Sequence, residues 1–242
     1  MVNQIFFHTI IMFYIKKINY MIVIIGGTGL LGKELSKNKS TLALGSDFDL
    51  FEFTKLKEVL DKKKPKIIIN CAAIKSEKVD EYPIESINLN IIGSANISKY
   101  CISNNIRLVY ISTDYVYPGD VGNFKESDNL NPQNNYAWTK LAGESSTKLV
   151  KNHLIVRTSF GDNIFPYDYA FDNLYTSKDY VDIIAPMIFK VSTSNVIGTI
   201  NVGTEKKSIF DYASRRNNIS PSSMPNDKDF SLNVQKFINL YE

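Results

Sequence analysis

Seven residues, Gly26-Gly27-Thr28-Gly29-Leu30-Leu31-Gly32, constrain the fold of this 242-residue chain more than any other stretch. They follow the apolar, mostly β-branched run Met21–Ile25 and open a segment, Leu30–Asn38, whose apolar residues recur at helical period. Glycines at 26, 29 and 32 divide the work between them. The first allows a sharp turn out of the strand, the second lets the backbone approach a ligand closely, and the third lets the helix lie against the sheet. Backbone amides at a helix start, with the positive end of its dipole, suit a phosphate. A glycine triplet alone is a weak signal, but one set between a buried strand and a helix is a strong one for a dinucleotide pyrophosphate.

The rest of the chain repeats this strand–helix rhythm. Strands are expected at Thr41–Leu44, Lys66–Asn70, Ile106–Ser112, His153–Thr158 and Gly198–Val202. Helices are expected at Thr54–Lys63, Pro83–Ser103, Asn135–Asn152 and Asp179–Val191. The unbroken isoleucines of Lys66–Asn70 predict a strand covered on both faces. Alternation of this kind specifies an α/β fold, a Rossmann-type doubly wound parallel sheet with right-handed crossovers. The expected organisation is an NAD(P)-binding core over residues 21–158 and a small, shortened substrate lobe over 159–242, which also returns a strand and helices to the core. Gly161–Tyr175 reads as irregular, Asn217–Asp229 as a polar surface loop, and Ser231 as the cap of a last helix ending near Tyr241.

Composition removes several function classes. A net charge of +3 without a dense Lys/Arg stripe gives no footprint for nucleic acid. Cys71 and Cys101 have neither disulfide nor zinc spacing, and His8 and His153 begin no ligand pattern, so no metal site is expected. Two buried free thiols fit a reducing, cytoplasmic setting. The apolar stretch Ile5–Ile15 is too short to span a bilayer and lacks the features of a signal peptide. Met21 therefore reads as the natural start and residues 1–20 as an upstream extension, with a short membrane-contacting anchor as the other reading.

Chemistry first becomes visible in Tyr136-Ala137-Trp138-Thr139-Lys140, which sets Tyr136 and Lys140 on one helix face. A phenol titrating near 10 is a poor acid–base group at neutral pH, and a neighbouring ammonium favours its ionised form. On its own the pair reads as an ordinary surface contact. The segment Ser112-Thr113-Asp114-Tyr115-Val116-Tyr117 changes this, because it lies just beyond the fourth strand, where open parallel sheets bind ligands. Thr113 is placed to bond a substrate carbonyl beside Tyr136.

Together with Ile69-Asn70-Cys71-Ala72-Ala73, Asn90-Ile91-Ile92-Gly93-Ser94-Ala95-Asn96, Lys140-Leu141-Ala142-Gly143-Glu144 and Val156-Arg157-Thr158-Ser159, these motifs resemble the extended short-chain dehydrogenases/reductases of the NAD-dependent epimerase/dehydratase superfamily. They look most like the dTDP-4-dehydrorhamnose reductase branch. The resemblance implies that Gly26, Thr28, Gly29, Leu30 and Leu31 hold the pyrophosphate, that Asp49 and Leu50 flank the adenine, and that Ala72 and Ala73 line the cofactor. It implies that Tyr136 protonates a sugar ketone, Lys140 binds the nicotinamide ribose and tunes Tyr136, and Thr113 orients the carbonyl, with Asp114 and Phe160 near the substrate. Phe160 stands where that branch usually carries tryptophan. Gly45-Ser46 at the end of the second strand offers neither acid nor arginine to a ribose, which tilts the expected cofactor from NAD toward NADPH. The implied activity is reduction of a nucleotide-linked 4-keto-6-deoxy sugar, and homodimers are common in the superfamily. Two other readings stay open: a nucleotide-sugar epimerase or dehydratase, and a catalytically silent NADP-binding regulatory module.

Overall fold

The computed structural model describes residues 21–45 and 49–241; the expected N-terminal extension and Ser46 lie outside them. Six strands, β1 (Ile22–Ile25), β2 (Thr41–Leu44), β3 (Ile67–Asn70), β4 (Arg107–Thr113), β5 (His153–Thr158) and β6 (Gly198–Val202), form one sheet in the order β6-β5-β4-β3-β1-β2. Every pairing in it is parallel. The principal helices are α1 (Leu30–Leu35), α2 (Phe53–Lys63), α3 (Ser94–Asn104), α4 (Asn135–Thr147) and α5 (Val181–Ser192).

Side chains alternate across a strand, so a run buried throughout feeds two cores at once. Ile22, Ile24, Ile67, Ile69, Val109 and Val156 pack with Leu31 and Leu35 of α1 and Ile184 and Ile188 of α5. Val23, Ile25, Ile68 and Leu108 pack with Leu56 and Leu60 of α2 and Ile97 and Cys101 of α3. Each such side chain contributes about 1.5–3 kcal/mol by leaving water, so both layers are strongly specified. The order reverses between β1 and β3, which opens the crevice that ligands use in doubly wound sheets.

Beyond β5 the chain forms a smaller lobe of very short strands. Tyr169–Phe171 pairs with Ser220–Ser222, Leu174–Thr176 with Lys207–Ser208 and Lys228–Asp229, and Phe160–Gly161 with Asp179–Tyr180. Asp179 is buried there, and its carboxylate accepts from Arg215 at 2.9 Å and from Thr204 at 3.0 Å.

Several expectations are corrected. Pro83–Ser103 is not one α-helix: a short turn, Pro83–Ser86, leads into a π-helical segment, Ile87–Gly93, before α3 begins. Asn217–Asp229 is not simply a loop, since it supplies two of the small strands. Asp179 closes a strand pair before α5 starts at Val181. Ser231 does not cap the last helix, Gln235–Ile238; its buried hydroxyl accepts from the Asn123 amide, tying the C-terminal segment to the loop after β4. Cys101 is buried as expected, but Cys71 only partly so. No described helix is long and apolar enough to cross a membrane.

Candidate active site

The glycine-rich turn is shaped by its neighbours. Gly26 adopts φ +83°, and a Cβ there would lie 2.6 Å from the Ala72 backbone nitrogen, so the turn abuts the end of β3. A Cβ on Gly32 would lie 2.2 Å from the Gly26 carbonyl oxygen, so α1 approaches the turn closely only because residue 32 lacks one. Gly29 differs. Its φ of −74° suits any residue, and a Cβ would meet only the Gly26 oxygen, at 3.3 Å. Among the described residues, that one tight contact is all that speaks for glycine at 29, and it is milder than those at 26 and 32. Thr28 and Gly29 are exposed, Leu30 is half-buried, and the Leu31 side chain belongs to the core, leaving its amide alone to face a phosphate.

From this cradle a continuous set of contacts runs to helix α4, which carries Tyr136. Ala72, buried, donates its amide to Asn70 Oδ1 at 3.1 Å, and Ala73 beside it is half-buried. Two residues on, the Ile74 amide donates to Asn90 Oδ1 at 2.8 Å, and Asn90 Nδ2 donates to Thr139 Oγ1 at 2.9 Å. Thr139 in turn donates to the Tyr136 carbonyl at 2.8 Å. Asn90 is fully buried within the π-helical segment, and π-turns recur where a helix must present a side chain to a site. Its place in the motif was visible in the sequence, but its task was not.

Helix α4 starts where Asn134 Oδ1 accepts from the Ala137 amide at 2.8 Å, a side-chain N-cap that fixes the first turn carrying Tyr136. Tyr136 is half-buried, and its hydroxyl has no hydrogen-bond partner among the described residues. Lys140 is 2% exposed, with its ammonium 4.2 Å from the centre of the Tyr110 ring. Burial brings the Lys140 amine down to about 8. Burial, then Asp114 and Tyr115, push the Tyr136 phenol up. Cys71 and Glu144 also act on the Lys140 ammonium, and it makes no hydrogen bond among the described residues, so it has bonds to give to an arriving ligand's hydroxyls.

Thr113 closes β4 and is buried. Its Oγ1 accepts from the Tyr115 amide at 3.3 Å and donates to Asp114 Oδ1 at 3.1 Å. The Asp114 carboxyl is itself buried and is thus engaged by Thr113, not presented to open space. Across the sheet, Thr113 is in register with Thr158, whose buried hydroxyl has no partner among the described residues. Phe160 is half-buried in a strand pair with Asp179. Of the two residues expected beside the adenine, Asp49 Oδ1 accepts from the Phe51 and Glu52 amides and its other oxygen pairs with Lys55, while Leu50 packs in the core against Gly93. Asp49 therefore serves the start of α2 in this structure.

One buried network supports all of this. Glu144, one turn beyond Lys140, accepts from Arg157 Nε at 3.0 Å and Nη2 at 2.8 Å, and from Ser112 Oγ at 2.6 Å. Arg157 Nη1 donates to Tyr117 Oη at 2.9 Å. The fork geometry locks α4 to the ends of β4 and β5.

With this geometry in place, the similarities to known proteins are informative. The family described as RmlD substrate binding domain matches residues 20–181. A dTDP-4-dehydrorhamnose reductase from Aggregatibacter actinomycetemcomitans is 28% identical over 200 residues, covering 78% of this chain and 68% of that protein. Methionine adenosyltransferase 2 subunit beta from Bos taurus is 31% identical over 150 residues, 56% of this chain; the match spans only 44% of the bovine protein. Among solved structures, dTDP-4-dehydrorhamnose reductase from Bacillus anthracis in complex with NADP superposes with a TM-score of 0.81 at 25% identity, covering 92% of each chain.

Proposed function

The chain belongs to the RmlD substrate binding domain family, and from that premise we propose that it is an NAD(P)H-dependent oxidoreductase that reduces the ketone of a nucleotide-linked 4-keto-6-deoxy sugar. One observation carries the reading: the glycine turn abuts Ala72 at the end of β3, and from Ile74 hydrogen bonds through Asn90 and Thr139 reach the backbone of Tyr136, whose helix also carries the buried Lys140. A bound dinucleotide would supply the hydride. The backbone at Gly26, Thr28, Gly29, Leu30 and Leu31 would hold its pyrophosphate, and Ala72 and Ala73 would line its path along the end of β3. Lys140 would bond the nicotinamide-side ribose hydroxyls. Thr113 would donate to the ketone oxygen, and Tyr136 would deliver the proton that oxygen needs as the carbonyl is reduced. The raised Tyr136 phenol stays protonated at neutral pH, the form a proton donor requires.

NADPH is the cofactor we favour: Gly45 at the end of β2 brings no acid to repel a ribose phosphate, and the superposable Bacillus anthracis reductase is in complex with NADP. A second reading, a subunit that holds the dinucleotide without turnover, is favoured by the similarity to the bovine subunit. Stoichiometry separates the two, and separates both from an epimerase. With purified chain, NADPH and a panel of dTDP- and UDP-linked 4-keto-6-deoxy sugars, the expected result is one NADPH consumed per sugar reduced. Sugar isomerisation without net consumption, or NADPH binding with no consumption on any sugar, would overturn the reductase reading.

A further inference from the structure

We propose that Asp114 is a positioning residue that sets the direction of its hydrogen bond with Thr113, and so decides whether Thr113 has a proton to offer a substrate carbonyl. A threonine hydroxyl owns a single proton. Here that proton points at Asp114 Oδ1, 3.1 Å away, while the hydroxyl oxygen accepts from the Tyr115 amide at 3.3 Å. With Asp114 ionised the carboxylate can only accept, and Thr113 has nothing left to donate outward. Once Asp114 takes a proton from solvent, its O–H donates to Thr113 Oγ1 and the threonine proton is released toward the open side of the strand end.

The surroundings of Asp114 make such a protonation accessible. It is 2% exposed, at the junction of β4, the segment after β5 and the loop before Asp179–Tyr180. Burial raises its carboxyl to about 6, opposed by the Thr113 hydroxyl, the Lys178 charge and the Ser159 hydroxyl. From α4 it faces Tyr136, whose phenol is pushed up and stays neutral in this range, and Tyr115 follows it in its own turn. The same protonation also removes the nearest negative charge from Tyr136, which makes that phenol a stronger acid. Both effects favour reduction, so the protonated form of Asp114 is the competent one. A sequence reading takes Asp114 for a substrate contact; the hydrogen-bond pattern makes it the group behind one.

The inference rests on the reductase reading for the identity of the carbonyl, but the hydrogen-bond reversal does not. In the wild type, kcat/KM should fall by about tenfold between pH 5 and pH 7 as Asp114 ionises, with no second limb from Tyr136 in that range. Asp114→Asn, permanently neutral and able to donate, should flatten the profile while keeping kcat at the acidic end within a few fold of the wild type. A profile that keeps the same limb in Asp114→Asn overturns the proposal. An independent readout needs no turnover: in the full chain, the ¹³C signals of the Asp114 carboxyl and of Thr113 Cβ should titrate with one shared midpoint. A Thr113 signal unmoved while Asp114 titrates, or an Asp114 carboxyl that stays ionised throughout, overturns it as well. Failure of the reductase reading is distinguishable, since it shows as no sugar-dependent consumption at any pH.

Discussion

Replacing Tyr136 by phenylalanine is expected to lower kcat/KM for the keto sugar by about 10²–10⁴-fold, the range for loss of one positioned proton donor. The expectation follows from how little else the hydroxyl does. It has no hydrogen-bond partner among the described residues, and the turn that carries it is fixed through backbone and neighbours: the Asn134 cap and the Thr139 bond to the Tyr136 carbonyl. Phenylalanine keeps the ring and loses only the proton. NADPH affinity, measured by titration, should therefore stay within a few fold, and the melting temperature should hold. An activity loss below tenfold would show that Tyr136 is not the donor. A loss accompanied by failed NADPH binding would instead assign the tyrosine to the cofactor site.

Arg157→Met is expected to destabilise the fold by about 3–5 kcal/mol, the cost of leaving a buried charge without its partner. Arg157 and Glu144 are 2% and 0% exposed, and the methionine would leave the buried Glu144 carboxylate without its cation, with Ser112 Oγ as its remaining donor. For a domain of this size that corresponds to a fall in Tm of roughly 6–20 °C, measurable by calorimetry. The double substitution Arg157→Met with Glu144→Met removes both charges, so it should recover a large share of the loss. If the two single effects simply added in the double variant, the pair would not act as a unit. Because Glu144 also accepts from Ser112, next to Thr113, the single variant should lose turnover at temperatures where it is still folded.

The parts of this account legible in the sequence were those governed by local covalent constraint. The spacing of Gly26, Gly29 and Gly32 announces a backbone that must bend and be approached, and the structure gives two of the three a steric reason. The isoleucines of β3 announced two-sided burial because no other arrangement hides them. Contacts between distant segments were not legible. Asn90 looks like any polar residue in a long helix until Ile74 and Thr139 arrive to bond it, within a π-helical segment that no local pattern announces. Ser231 has the right chemistry for a helix cap, yet the Asn123 amide reaches it first. The tyrosine–lysine spacing sets both residues on one helix, but spacing cannot say which way a four-carbon side chain turns, and Lys140 lies over the Tyr110 ring. The short strands between Gly161 and Tyr175 are only two or three residues each, too short for any period to show.

Transfer of a hydride from nicotinamide to sugar C4 is the central claim, and following isotope is its most direct test. The chain would be incubated with NADPH carrying deuterium at C4 of the nicotinamide, each face labelled separately, and the 4-keto-6-deoxy nucleotide sugars. The expected result is that deuterium from one face appears at C4 of the reduced sugar, that none enters from the other, and that Tyr136→Phe slows the transfer by the same factor as kcat/KM. Reduced sugar without deuterium from either face, or a sugar left unreduced while the protein binds NADPH, would contradict it.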